Sequence, residues 1–103
     1  MRLSWRPQAE RDREDAINHI AEEDPLVAIE QLDRIEEQTD VLLQQPKLGR
    51  LGRVKGTREL VISRTPFIAI YHLPDAQHVE ILRLMHSSQA WPARQAAAKK
   101  RHK

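Results

Sequence analysis

The dipeptide Asp24-Pro25 constrains this chain more than any other feature, because it cuts a long stretch of helical periodicity in two. Before it, Ala9, Ala16, Ile17, Ile20 and Ala21 fall at helical spacing and make one narrow apolar stripe on a charged helix from Gln8 to about Glu23. After it, Ala28, Leu32, Ile35, Thr39 and Leu42 recur at steps of four and three on a helix from Pro25 to about Gln45, widened by Ile29 and Leu43. Asp24 can accept from the free N–H groups of the second helix, and Pro25 takes the first helical position, where a missing N–H costs nothing. So tight a junction folds the helices back on each other as an antiparallel hairpin.

The remaining periodicity is that of strands. Leu3 and Trp5 alternate with Arg2 and Ser4, a brief strand that Pro7 stops. Pro46 ends the second helix. The stretch from Lys47 to Gly56 holds all three glycines among four basic residues and reads as a loop of about ten residues, long for a connector. Three strands follow, Arg58–Ile62, Phe67–Leu73 and Val79–Met85, separated by Arg64-Thr65-Pro66 and by Pro74-Asp75-Ala76-Gln77, both good turn chemistry. Consecutive strands at this spacing predict an antiparallel meander. The Phe67 strand is apolar on both faces and is therefore expected at the centre. In the Val79 strand, Glu80 and Arg83 break the alternation. The expected fold class is α+β: an N-terminal strand, then a helical hairpin packed on a small antiparallel sheet (β-α-α-β-β-β), with a short C-terminal helix or tail. Residues 1–92 are expected to form one domain, and residues 93–103 a basic tail ending in Lys99-Lys100-Arg101-His102-Lys103.

Composition excludes several function classes. With 103 residues there is room for one core. No cysteine means no disulfide framework, thiol nucleophile or thiolate metal site. His19, His72, His78 and His102 show no metal-ligand spacing, so neither a metal nor a cofactor is expected. No apolar run is long enough for a transmembrane helix, which argues against a membrane partner, and the N-terminus lacks a signal-peptide stretch, which argues for the cytoplasm. Four aromatics are too few for a base-stacking platform. Charge is segregated: residues 1–45 carry five Arg/Lys against twelve Asp/Glu, and residues 46–103 carry twelve against three. The second half thus suits an acidic partner, unless the two halves neutralise each other in the fold.

The wording of that second half is specific. Pro46-x-x-Gly49-Arg50, Gly56-Thr57-Arg58-Glu59-Leu60-Val61-Ile62, Thr65-Pro66-Phe67-Ile68-Ala69-Ile70-Tyr71, Val79-Glu80-Ile81-Leu82-Arg83, and His86 with Trp91-Pro92 closely resemble the RelE/ParE superfamily, the toxins of type II toxin–antitoxin modules. The resemblance runs from the opening strand to Trp91-Pro92. It implies a toxin made together with an antitoxin whose C-terminal segment lies along the toxin's sheet and helices, in a hetero-oligomer. It also implies one of two targets. ParE-type members poison DNA gyrase, and with it replication, without an established catalytic site. RelE-type members enter the ribosome and cleave mRNA.

Cleavage at a 2′-OH needs a base, cations for the charge that builds on phosphate, and an acid for the leaving oxygen. Arg58, Arg83 and His86 are the catalytic candidates under that reading, with Glu59 as a further base. The ribosome-dependent branch typically carries an arginine just before the residues that match Ala69-Ile70-Tyr71. This chain has Pro66-Phe67-Ile68 there, so the ParE-like, non-catalytic reading is favoured and the nuclease is the alternative. A protein that only binds an antitoxin is a third. Candidate target- or partner-binding residues are Arg50, Arg53, Arg58, Arg83, His86 and Trp91. For Arg83 the expected structural partner is Glu80 or Glu59. The three glycines lack the Lys-Ser/Thr sequel of a phosphate-cradling loop.

Overall fold

The computed structural model describes residues 1–89, so Trp91 and the basic tail 93–103 lie outside the described residues. The elements are β1 (Arg2–Trp5), α1 (Pro7–Glu23), α2 (Pro25–Asp40), β2 (Arg50–Leu51), β3 (Thr57–Val61), β4 (Phe67–Asp75) and β5 (His78–His86), with a 3-10 turn at Val41–Leu43. They build one five-stranded sheet in the order β1-β5-β4-β3-β2, with the helical hairpin across one face.

Asp24 does both jobs expected of it. Its N–H closes α1 on the Ile20 carbonyl at 2.9 Å, and its Oδ1 accepts from Leu26 N at 3.1 Å and Val27 N at 3.2 Å. One residue therefore caps both helices. Asp24→Ala should cost about 1 kcal/mol and lower the melting temperature by about 4–8 °C, read by thermal unfolding. Thr39, polar within an apolar stripe, is buried without penalty because its hydroxyl donates to the Ile35 carbonyl at 2.8 Å. Helix α2 stops at Asp40, short of the expected Gln45, but the 3-10 turn that follows still buries Leu42.

The core lies between the hairpin and one sheet face. Ala9, Ile35 and Leu42 meet Leu60 and Ile62 of the β3 segment, Phe67, Ala69 and Tyr71 of β4, and Val79, Ile81 and Leu84 of β5. In β4 these are the odd positions, so Ile68 and Ile70 stand on the helix-free face.

Three features depart from the expected meander. First, β1 pairs with β5 in parallel, Leu3 opposite Val79 and Trp5 opposite Ile81. Strands β2 to β5 pair antiparallel in sequence order, so β5 keeps a free edge, and the crossover through α1 and α2 leaves β1 to fill it. Second, Arg50 and Leu51 leave the expected loop to pair with Glu59 and Arg58. Third, Tyr71 stands opposite Ile81 while Ile70 stands opposite Arg83, which makes Leu82 a bulge residue. The bulge shifts the alternation of β5 by one, and this is why its pattern reads as broken. Strand β4 runs through Pro74, which a second register shift between His72 and Asp75 keeps out of the ladder.

Candidate functional site

The helix-free face of the sheet holds the first cluster. Ile68, Ile70 and Met85 line a small hollow there with Arg53, Glu59, Ser87 and Gln89. Glu59 is 5% exposed. A carboxylate so enclosed needs donors, and it has them. Its Oε1 accepts from Arg50 Nε at 3.1 Å and Nη2 at 2.9 Å, and its Oε2 accepts from the Arg53 backbone N–H at 3.3 Å. Arg50 and Arg53 thus converge on Glu59, beside the half-buried Ile68 and the buried Ile70 and Met85.

Arg58 points to the opposite face, as strand alternation requires. Its Nη1 donates to the Gly49 carbonyl at 2.7 Å and the Lys47 carbonyl at 3.2 Å. Tyr71, directly across from it on β4, completes the fastening. Its hydroxyl donates to Pro46 O and accepts from Gly49 N, both at 2.8 Å. The segment Pro46–Gly49 is tied down by these two side chains. Gly49 has no room for more: an added Cβ would stand 2.7 Å from Tyr71 Cε1.

Arg83 is paired with neither Glu80 nor Glu59. Its partner is Asp12 of α1, at 2.8 Å from Nε and 3.1 Å from Nη2. The reason is topological. β1 ends at Trp5, so the β5 edge beyond it is unprotected, and Asp12 closes it by also accepting from Leu84 N–H at 3.0 Å. Gln8 supplies a fourth donor at 3.0 Å. Burial pushes the Asp12 carboxyl up, but the hydrogen bonds from Arg83, Gln8 and Leu84 outweigh it and hold the group below the usual carboxylate range. Glu80 instead bridges His72 at 2.7 Å and Arg6 at 3.1 Å across the helix-free face, and the His72 hydrogen bond above all keeps it below its ordinary value.

His86 ends β5, exposed, with its ring edge-on to Phe67 and its Nδ1 accepting from Ser88 N at 3.1 Å. Arg83 and His86 do share a cavity of about 440 Å³. Ile20, Phe67 and Leu84 form its apolar wall, and Asp15 and His19 stand at its polar rim. Of the sequence candidates, then, Arg83 and His86 come together, Arg50 and Arg53 come together on the other face, and Arg58 stands apart from both groups. Sequence reasoning missed Asp12, one carboxylate among the twelve of the acidic half, and Tyr71, whose hydroxyl carries no sequence signal. No group of metal-ligand side chains able to hold an ion occurs among the described residues, and no described helix is long and apolar enough to cross a membrane.

Comparison with known proteins adds three findings. Residues 3–91 match the family model described as the ParE toxin of the type II toxin–antitoxin system parDE. The chain is 38% identical over 91 residues to a protein of Sinorhizobium fredii (strain NBRC 101917 / NGR234) named "Putative toxin Y4kP", covering 88% of this chain and 93% of that one. It superposes with a TM-score of 0.74 and 28% identity on a solved chain of the chromosomal ParDE TA system from P. aeruginosa, over 84% of this chain and 95% of that one.

Proposed function

This chain belongs to the ParE toxin family and is the toxin half of a type II toxin–antitoxin pair; from that premise we propose that it poisons DNA gyrase by binding, and that its cognate antitoxin silences it through an acidic segment that orders only on docking. Such a toxin works in the cytoplasm, blocks replication, and is stored as a toxin–antitoxin hetero-oligomer. It needs neither cofactor nor catalytic centre.

One observation carries the gyrase reading. Where ribosome-dependent relatives typically carry an arginine, the helix-free face carries Ile68, half-buried beside the buried Ile70 and Met85. The arginines of the nuclease set are engaged elsewhere: Arg58 on two loop carbonyls and Arg83 on Asp12. A missing charge-stabilising group costs about 10²–10³ in rate, so this surface is poorly built to cut RNA. Binding a large partner needs no such charge-stabilising group.

Purified toxin in stoichiometric excess should suppress supercoiling by gyrase, and its expression should induce the DNA-damage response before translation falls. The cavity shared by Arg83 and His86 supports the alternative, cleavage of ribosome-bound mRNA. His86→Ala separates the two, because the exposed ring meets the core only through its edge contact with Phe67, and a melting curve reads what that contact is worth. Undiminished toxicity of that variant fits the gyrase reading. Unchanged supercoiling, with loss of toxicity in His86→Ala, transfers the assignment to the nuclease.

A further inference from the structure

Between Asp40 and Asp75 the chain carries one carboxylate, Glu59, against six lysines and arginines. Five of the six lie on or beside the β2–β3 ribbon, which forms one edge of the sheet. The fold spreads them over both faces of that ribbon and its tip. Arg50 stands opposite Glu59, and Arg53 lies with Glu59 on the helix-free face. Leu51 stands opposite Arg58, and on the other face these two share a hollow of about 250 Å³ with Lys47. Lys55 sits in the exposed turn between the strands, next to Gly56 at a φ of 87°. The turn is held to its end by Gly52 N–H on the Thr57 carbonyl at 2.8 Å and Thr57 N–H on the Val54 carbonyl at 3.1 Å. Glu59 cancels one of the five charges, through Arg50. Arg58 is fastened by carbonyls, which fix its position without cancelling its charge. Lys47 and Lys55 are exposed, and their side chains make no bond among the described residues.

We propose that this ribbon enters the major groove of duplex DNA tip first, so that its two faces meet the phosphates of the two walls. The inference goes beyond the gyrase reading: the chain grips DNA by itself, with or without the enzyme. Shape and charge select the partner together. A ribbon about 10 Å thick with its side chains fits the B-DNA major groove, which is about 12 Å wide. Duplex RNA has a deep, narrow major groove that does not admit it. Single strands are held by stacking on aromatic rings, and no aromatic residue lies between Pro46 and Arg64. An acidic peptide offers carboxylates to one face of the ribbon at a time, whereas the two walls of a groove offer phosphates to both.

The test uses the full chain and a 20-base-pair DNA duplex, with binding read by fluorescence anisotropy across a salt series. Every variant keeps the basic residues 93–103, so their contribution is the same throughout. Affinity should fall linearly with salt on logarithmic axes, with a slope of about −0.9 for each phosphate met. Lys47→Gln and Lys55→Gln should each weaken binding and each reduce that slope by about 0.9. Arg11→Gln, which removes an equally exposed cation from α1, serves as the control and should keep the parental slope. Parental slopes in both lysine variants overturn the ribbon as the DNA surface, even where the chain still binds DNA. Lysine-dependent binding that is as tight to duplex or single-stranded RNA of the same sequence overturns the choice of DNA. Both results are read without gyrase, so the supercoiling assay continues to judge the gyrase reading separately.

Discussion

Asp12→Ala is expected to lower stability by about 2–4 kcal/mol, and the melting temperature by about 10–20 °C. Its carboxylate receives four hydrogen bonds, two from Arg83 and one each from Gln8 and the Leu84 backbone. Side-chain exposure is 11% for Asp12 and 30% for Arg83, so the figure sits somewhat below that for a fully enclosed pair. The loss comes less from missing attraction than from what remains: a half-buried guanidinium without a counterion and a strand-edge N–H without an acceptor. Asp12→Leu with Arg83→Met should therefore recover much of what Asp12→Ala loses, since no charge is then stranded. The pH dependence has a definite sign. The folded protein holds the Asp12 carboxyl below its ordinary value, so its contribution is fully present above that value and is lost as pH falls through the lowered one. Glu80 acts in the same direction. Stability should fall below about pH 4, and less steeply in Asp12→Ala, where one of the two groups is gone. A melting temperature in Asp12→Ala equal to the parent's across this range would remove Asp12 from the architecture proposed for it.

What the sequence revealed and what it concealed follow the range of the forces involved. The helical hairpin was legible because its causes are local: a cap, a proline and two apolar stripes lie within forty residues of one another. The three long strands were legible for the same reason. The parallel seat of β1 was not, because nothing in Arg2–Trp5 records which edge remains free once the other strands have paired. Nor was the bulge at Leu82, where one extra residue inverts the alternation and makes a regular strand look irregular. At the candidate site, residue type indicated cations but not their partners. Arg83 finds a carboxylate 71 positions away, and Arg58 finds two carbonyls in a loop. Both were read as candidates because arginines that bind a phosphate and arginines that fasten a loop look alike until the chain is folded. The apolar Ile68, by contrast, was legible in the sequence and remains the feature on which the choice of target turns.

Tyr71→Phe should cost about 1–3 kcal/mol although it removes a single oxygen. The ring is fully buried, so phenylalanine fills the same space and packing is retained. What disappears is a hydroxyl that both donates to Pro46 and accepts from Gly49, and the enclosed Gly49 N–H is left without an acceptor. Burial pushes the phenol above its ordinary pKa, so the proton it gives Pro46 is present throughout the physiological range. The effect should be local before it is global. Amide exchange at Gly49 should accelerate well before the core opens, because Pro46–Gly49 then keeps only the Arg58 bonds and the turn bond from Leu48 N–H to the Gln45 carbonyl. Arg58→Ala and Tyr71→Phe hold the same segment, so their combined cost should differ from the sum of the two by at least 0.5 kcal/mol, on the order expected for residues sharing one network. The α1–β5 side of the molecule should keep its exchange protection meanwhile. Parental stability with a protected Gly49 amide would show that the loop is held by something other than the tyrosine.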